Sequence, residues 1–225
     1  MNPARASAEQ RTQVRGLYAI TPDEADTAAL VRKVRMALAG GARMLQYRNK
    51  SADTVLRSKQ AEELLAVCRA SRVPLIINDD LDLALSIGAD GLHIGRDDAS
   101  VAAARARLGP GRILGASCYN RLDLALAARD AGADYVAFGS AFASSTKRGA
   151  VRAPLSLYRE AKTRLACPVV AIGGITSENA RPLIEAGVDA LAVINALFDT
   201  REIERRAREF ADMFGTHGLE KRSAV

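Results

Sequence analysis

Eight short runs rich in β-branched and other apolar residues punctuate the chain: LYAIT (17–21), MLQYR (44–48), PLIIND (74–79), GLHIG (91–95), ILGAS (113–117), YVAFGS (135–140), PVVAIGG (168–174) and ALAVI (190–194). Between them lie Ala-, Leu-, Arg- and Glu-rich segments, such as TAALVRKVRMALAG and RLDLALAARDAG, whose apolar positions recur at helical spacing. This alternation predicts parallel strands joined by right-handed helical crossovers. Three segments echo one another. SIGADGLHIG, DAGADYVAFG and EAGVDALAVI each stop a helix at Gly88, Gly132 or Gly187, carry an Asp two residues later, and open an apolar strand. Glycine takes the left-handed conformation that ends a helix, which gives the echo a mechanical cause. Eight evenly built units fit a single-domain α/β fold, a closed (β/α)8 TIM barrel, better than an open doubly wound sheet. The predicted boundaries are a flexible N-terminal arm over 1–15, the barrel over 16–215 and a C-terminal tail over 216–225.

Composition narrows the classes without changing this picture. The 225 residues are 48% hydrophobic and 26% charged, an ordinary soluble balance, and no apolar run approaches the ~18 residues of a membrane span. MNPARASAEQRTQVR has no apolar stretch of the secretory kind, so a cytoplasmic protein is expected. Cys68, Cys118 and Cys167 form neither a C-x-x-C pair nor a metal-ligand spacing and read as reduced core thiols. A net charge of +6 would suit nucleic acid, but the cations are scattered and aromatics are 4% of the chain. The densest basic cluster, REIERRAR, alternates with acids at helical spacing and reads as a solvated helix face. Neither nucleic acid nor membrane is an expected partner, and a homo-oligomer is left open.

Barrel chemistry gathers at the C-terminal ends of the strands. In QYRNK the alternation of an extended chain puts Gln46, Arg48 and Lys50 on one face at the end of the second strand. The third strand ends in Asn78, Asp79 and Asp80, the fourth runs into Arg96, Asp97 and Asp98, and the fifth stops at Ser117. Asp79 and Asp98, on adjacent strands ~5 Å apart, could share one hard cation such as Mg²⁺, which takes one or two carboxylates plus phosphate oxygens. Asp80 and Asp82 read as acids at the start of the next helix. The seventh strand ends in Gly173 and Gly174 before a helix expected to begin at Thr176, a corner suited to phosphate. The loop after the sixth strand, with Ser144, Ser145, Thr146, Lys147 and Gly149, suits either a lid over phosphate or a plain surface loop. His93 and His217 are the two histidines, and His93, inside the fourth strand, reads as a structural residue. A His-based triad or zinc hydrolysis is therefore poorly supported, and charge neutralisation with positioning should suffice.

QYRNK, LIINDDLDLALSIGADGLHIGRDD, GAS, SSTK, AIGGI and AVINALF, in that order from Gly16 to about Phe214, resemble the thiamine phosphate synthase family. The resemblance implies a transferase of thiamine biosynthesis on a (β/α)8 barrel. It would couple 4-amino-2-methyl-5-(diphosphooxymethyl)pyrimidine to 4-methyl-5-(2-phosphooxyethyl)thiazole, releasing diphosphate with Mg²⁺ as cofactor. Carried over by motif, Gln46, Tyr47, Arg48, Asn49, Lys50, Asn78, Ser117 and Lys147 would hold the pyrimidine diphosphate, with Arg48, Lys50, Ser117 and Lys147 as the catalytic set. Asp79 and Asp98 would bind the metal, and Ser144, Ser145, Thr146, Gly174, Ile194 and Asn195 the thiazole phosphate. The implied mechanism is dissociative, and a ring nitrogen that attacks without losing a proton agrees with the lack of a base. Arg96, Ser144 and Asn195 depart from the family pattern, where glutamine, threonine and serine are common. Two other readings stand beside this one: the thiazole tautomerase branch of the same barrel, which tends to lack the full cation and carboxylate set, and a non-catalytic barrel that binds a phosphorylated metabolite.

Overall fold

A computed structural model describes residues 14–95, 100–143 and 151–220, with side chains as far as 215. Every expected run contains a strand: β1 (Gly16–Ile20), β2 (Met44–Tyr47), β3 (Leu75–Asn78), β4 (Gly91–Ile94), β5 (Ile113–Tyr119), β6 (Tyr135–Phe138), β7 (Val169–Ile172) and β8 (Ala190–Val193). Each pairs in parallel with the next, and β8 returns to β1 through pairs such as Tyr18 with Ala192, so the sheet closes on itself. The helices between them are α1 (Thr27–Ala39), α2 (Thr54–Ser71), α3 (Leu81–Ser86), α4 (Val101–Leu108), α5 (Leu122–Asp130), α6 (Leu155–Arg164), α7 (Arg181–Glu185), α8 (Asn195–Phe198) and α9 (Ile203–Glu220). Several start where a short polar side chain accepts from a first-turn N–H: Asp26 from Ala28 and Ala29, Asp53 from Leu56, and Asp80 from Leu83. Asp80 and Asp82 thus open α3 as expected.

Strand alternation divides the apolar residues into two cores. Leu17, Leu45, Ile77, Leu92, Leu114 and Val136 face outward against the helices, whereas Tyr18, Met44, Ile76, Ile113, Tyr135 and Val170 fill the barrel. Val14, within the stretch 1–15 predicted as an arm, is buried in the inner group: an apolar side chain two residues before β1 is taken into the barrel. At the other end α9 continues through Thr216 to Glu220, where a tail was predicted. Gly215 and Gly218 weaken a helix by about 1 kcal/mol each but do not break it as proline would. On α9, Arg205 pairs with Glu202 and Glu209, and Arg208 with Glu204, the solvated face read from the sequence, while Ile203, Ala207 and Phe210 turn inward. Cys68, Cys118 and Cys167 are buried and joined in no disulfide among the described residues, and burial pushes the Cys68 and Cys118 thiols up to about 12. No helix among the described residues is long and apolar enough to cross a membrane.

The sequence echo has a second cause beyond its glycines. The Asp90 carboxylate accepts from the Leu75 N–H at 2.9 Å, while the Asp90 N–H donates to the Leu75 carbonyl at 3.1 Å. Asp134 grips Leu114 in the same two ways at 2.8 and 2.7 Å, and Asp189 grips Val169 at 2.7 and 2.8 Å. Each aspartate therefore locks the start of an even-numbered strand to the strand before it, at the barrel end opposite the mouth. Two of the three also hold a cation. Lys162 reaches both Asp189 oxygens, and Arg105 donates to Asp134 at 2.6 Å, to the Gly132 carbonyl at 3.0 Å and to the carbonyls of Gly109 and Arg112.

Removing Asp134 strands a buried guanidinium and a buried strand N–H together. Asp134→Ala is expected to lower unfolding free energy by about 3–5 kcal/mol in urea titration, whereas Asp130→Ala, at an exposed pair with Arg129, leaves the midpoint essentially unchanged.

Candidate active site at the barrel mouth

The mouth is built outward from the ends of β1, β2 and β3. Thr21, fully buried just past β1, exchanges bonds with Arg48: its hydroxyl donates to the Arg48 carbonyl at 2.8 Å and accepts from the Arg48 N–H at 2.8 Å. Asp23 then accepts from the Arg48 guanidinium at 3.1 Å and from the Lys50 N–H at 2.9 Å, which fixes the turn that carries both cations. Across from them Asp79 takes a left-handed backbone (φ 63°), which aspartate tolerates better than most residues, and its N–H donates to the His93 carbonyl at 2.8 Å. The Asp79 carboxylate stands 3.9 Å from the Lys50 ammonium. Arg48, Lys50, Asn78 and Asp79 line one cleft of 560 Å³, together with Arg57 and Asp80. Asn78, half-buried at the end of β3, makes no side-chain hydrogen bond among the described residues. Arg57 lies 3.9 Å from Asp80, and its buried Nε has no hydrogen-bond partner among the described residues.

Two members of QYRNK have other tasks. The Tyr47 hydroxyl donates to the Gln60 side-chain oxygen at 2.9 Å, and the Asn49 amide donates to that same oxygen at 3.0 Å and to the Glu24 carbonyl at 2.7 Å. Both residues are buried, and the polar ends of both side chains tie the loop to α2, while both also line the cleft beside Arg48 and Lys50. The alternation that directs Gln46 inward directs Tyr47 outward, where burial pushes its phenol up to about 12.

Inside the barrel the Gln46 amide nitrogen donates to the Tyr18 hydroxyl at 2.7 Å, and Tyr18 meets the Tyr135 hydroxyl at 2.8 Å. Tyr135 meets His93 Nδ1 at 2.9 Å, and His93 Nε2 meets the Ser117 hydroxyl at 2.9 Å. His93 is the hydrogen-bonded structural residue expected from its place in β4. Tyr135 reaches the axis because position 115 is glycine: a Cβ there would overlap the phenol ring. Gln46 and Ser117 are thereby held from opposite sides of the barrel by groups that neither contributes itself.

At β7 and β8 the register runs as far as Ile172 with Ala192, and Gly173 and Gly174 follow at the end of β7 while Ile194 follows just past β8. Gly173 (φ 101°) and Gly174 (φ 63°) are both left-handed, and a Cβ on Gly174 would overlap the Ala143 carbonyl. The helix expected from Thr176 is absent. Instead the Asn179 side chain accepts from the Thr176 N–H at 2.8 Å and donates to the Gly174 carbonyl at 2.9 Å, closing a turn, and α7 begins only at Arg181. A five-residue helix that starts seven positions on lends no dipole to Gly174, so any anion there is served by main-chain N–H groups. Those of Gly174 and of Asn195, the exposed first residue of α8, donate to no backbone oxygen among the described residues.

Asp98, Ser144, Ser145, Thr146 and Lys147 lie outside the described residues, as does Arg96. Sequence reasoning missed Asp23, Arg57, Tyr18 and Tyr135. Asp23 was signalled by an acid three residues past β1, and Tyr135 by a glycine at the position across from it in β5.

A family model described as thiamine monophosphate synthase matches residues 17–197. The chain is 55% identical over 204 residues to the thiamine-phosphate synthase of Thiobacillus denitrificans, covering 91% of this chain and 97% of that protein. It is 56% identical over 201 residues to the thiamine-phosphate synthase of Methylobacillus flagellatus, covering 89% and 96%. Among solved structures, thiamine phosphate pyrophosphorylase from Pyrococcus furiosus superposes with a TM-score of 0.81 at 34% identity, covering 92% of this chain and 98% of that one.

The Gly174 corner can be tested by its sterics. Gly174→Ala is expected to destabilise the protein by about 1–3 kcal/mol in urea titration, through left-handed strain and displacement of Ala143. Gly111→Ala, where a Cβ meets open space, is expected to be neutral or slightly stabilising.

Proposed function

The chain belongs to the thiamine monophosphate synthase family, and from that premise we propose that it joins a pyrimidine diphosphate to a thiazole phosphate, giving thiamine phosphate and diphosphate. The observation that carries the reading is the convergence of Arg48, Lys50, Asn78 and Asp79 on one cleft at the mouth, beside Gln46 and Ser117 held from within. Two cations at fixed spacing next to a carboxylate suit a polyphosphate with a divalent ion, and neither suits an uncharged substrate.

In this reading the Arg48 guanidinium and the Lys50 ammonium neutralise the diphosphate as charge accumulates on it, with Lys147 added by the family resemblance. Asp23 keeps Arg48 from swinging into solvent. The C–O bond to the methylene breaks with its electron pair on the departing diphosphate oxygen, and the thiazole nitrogen lone pair forms the new C–N bond. No proton changes hands in that exchange, so no general base is needed. Gln46, Asn78 and Ser117 orient the pyrimidine, and the main chain at Gly174 and Asn195, with Ile194, Ser144, Ser145 and Thr146, takes the thiazole phosphate.

The donor set fits magnesium: the Asp79 carboxylate is a hard oxygen ligand beside a phosphate-binding cation, and one or two carboxylates suffice when the substrate supplies the other oxygens. Asp79, with Asp98, would hold the ion, which would supply charge stabilisation to the leaving diphosphate. Lys50 and Asp79 argue against the tautomerase branch, and relatives more than half identical over nearly their whole length carry the synthase name. A cytoplasmic location accords with such phosphorylated substrates.

Purified protein given both substrates and Mg²⁺ is expected to release diphosphate and form thiamine phosphate in equal amounts. Asp79→Ala and Lys147→Ala are each expected to slow release at least ~100-fold with folding intact by circular dichroism. Wild-type rates in both variants would remove these residues from the reaction.

A further inference from the structure

The buried chain from Gln46 to Ser117 crosses the barrel through five strands, and its bonds of 2.7, 2.8, 2.9 and 2.9 Å leave no gap. We infer that Tyr18, Tyr135 and His93 are positioning residues that pass one donor direction from the Gln46 amide to Ser117, so that the serine hydroxyl always offers its proton to the substrate. This rests on the reading that Ser117 faces the pyrimidine diphosphate.

The direction follows from counting protons. A carboxamide nitrogen has hydrogens and no acceptor capacity, so the Tyr18 oxygen accepts at that end. The single Tyr18 proton then goes to the Tyr135 oxygen, and the single Tyr135 proton to His93 Nδ1, which must be the unprotonated nitrogen. A neutral imidazole of that tautomer carries its proton on Nε2 and donates it to Ser117. The serine oxygen is then occupied as an acceptor, and its own proton remains for the mouth. The reverse direction would need the Gln46 side-chain oxygen, in place of its nitrogen, to face the Tyr18 hydroxyl.

Burial enforces the order. Tyr18 and Tyr135 are sealed from water, so neither hydroxyl can turn to a solvent partner, and the loss of solvation holds both phenols far above their ordinary range. The rings are fixed as well: Tyr18 meets Tyr135 edge-on at 6.0 Å, His93 stacks on Tyr135 at 5.6 Å, and the absent Cβ of Gly115 gives Tyr135 its place. An apolar barrel would hold such bulk more simply. What the tyrosines add is a relay of orientation to a hydroxyl at the mouth.

The test is the His93 tautomer in ligand-free protein, read by ¹⁵N NMR of histidine-labelled samples. The chain has two histidines, so His217→Gln assigns the signals. At pH 9, where imidazole is neutral, wild-type His93 is expected to carry its proton on Nε2. Gln46→Glu, ionised at that pH, puts an acceptor at the head of the chain. It is expected to reverse every bond and move the His93 proton to Nδ1, although His93 does not touch position 46. Tyr18→Phe cuts the relay, so adding Gln46→Glu in that background should leave the proton on Nε2. Tyr135→Phe, checked for folding by circular dichroism, is expected to lower kcat/KM about 10-fold and to populate both tautomers. A proton on Nδ1 in the wild type, or an unmoved proton in Gln46→Glu alone, overturns the inference. Failure of the proposed function is separate: the expected tautomers together with no diphosphate release would sink that reading, whereas full turnover with the wrong tautomer would sink only the relay.

Discussion

A barrel closed by eight parallel strands gives half of its strand side chains nowhere to go but the axis. Water does not follow them there, so a polar group placed inside must find its partner among the other strands or cost the fold the full penalty of desolvation. This constraint ties the chemistry to the architecture. Gln46 and Ser117 can present polar groups at the mouth only because Tyr18, Tyr135 and His93 satisfy them from within. The same constraint explains Gly115, whose missing side chain is the space that the Tyr135 ring occupies.

The two ends of the barrel divide the work. At the lower end carboxylates are doubly bonded and matched with strand N–H groups or cations, Asp134 buried and Asp90 and Asp189 half-buried, an arrangement that stabilises and leaves little to react. At the upper end Arg48, Lys50 and Asp79 stand partly exposed around an open cleft, with Lys50 and Asp79 3.9 Å apart. Contacts that loose contribute little stability, and the charges stay available to a ligand. Asp23 belongs to the upper end but works like the lower carboxylates, since it fixes the turn that aims Arg48 and Lys50.

Much of this was legible because each strand is a short β-branched run and each echo carries its own stop signal, so barrel and strand order follow from local pattern. The rim cations and Asp79 were legible for the same reason, as they sit where the runs end. What escaped depended on contacts between distant segments. Tyr47 and Asn49 were grouped with their charged neighbours, yet period-two alternation turns Tyr47 toward Gln60, and Asn49 follows to the same oxygen. Thr176 looked like a helix start because its hydroxyl precedes a helical pattern. Asn179, three residues on, captures the Thr176 N–H and closes a turn first. Val14 and Tyr135 are apolar or amphipathic residues whose inward position only barrel closure reveals.

The aspartate grips at the lower rim fall between β3 and β4, between β5 and β6, and between β7 and β8. The carboxylates thus staple the barrel in doublets, and the seams from one doublet to the next are joined there by main chain, as where Asp90 and Asp189 accept from Ile113 and Gly16. At that rim each doublet therefore carries a side-chain bond to a strand N–H in addition to its main-chain bonds. Such a barrel grows or shrinks most simply by whole strand–helix–strand–helix cassettes, because a boundary drawn through a staple would leave a carboxylate behind without its strand.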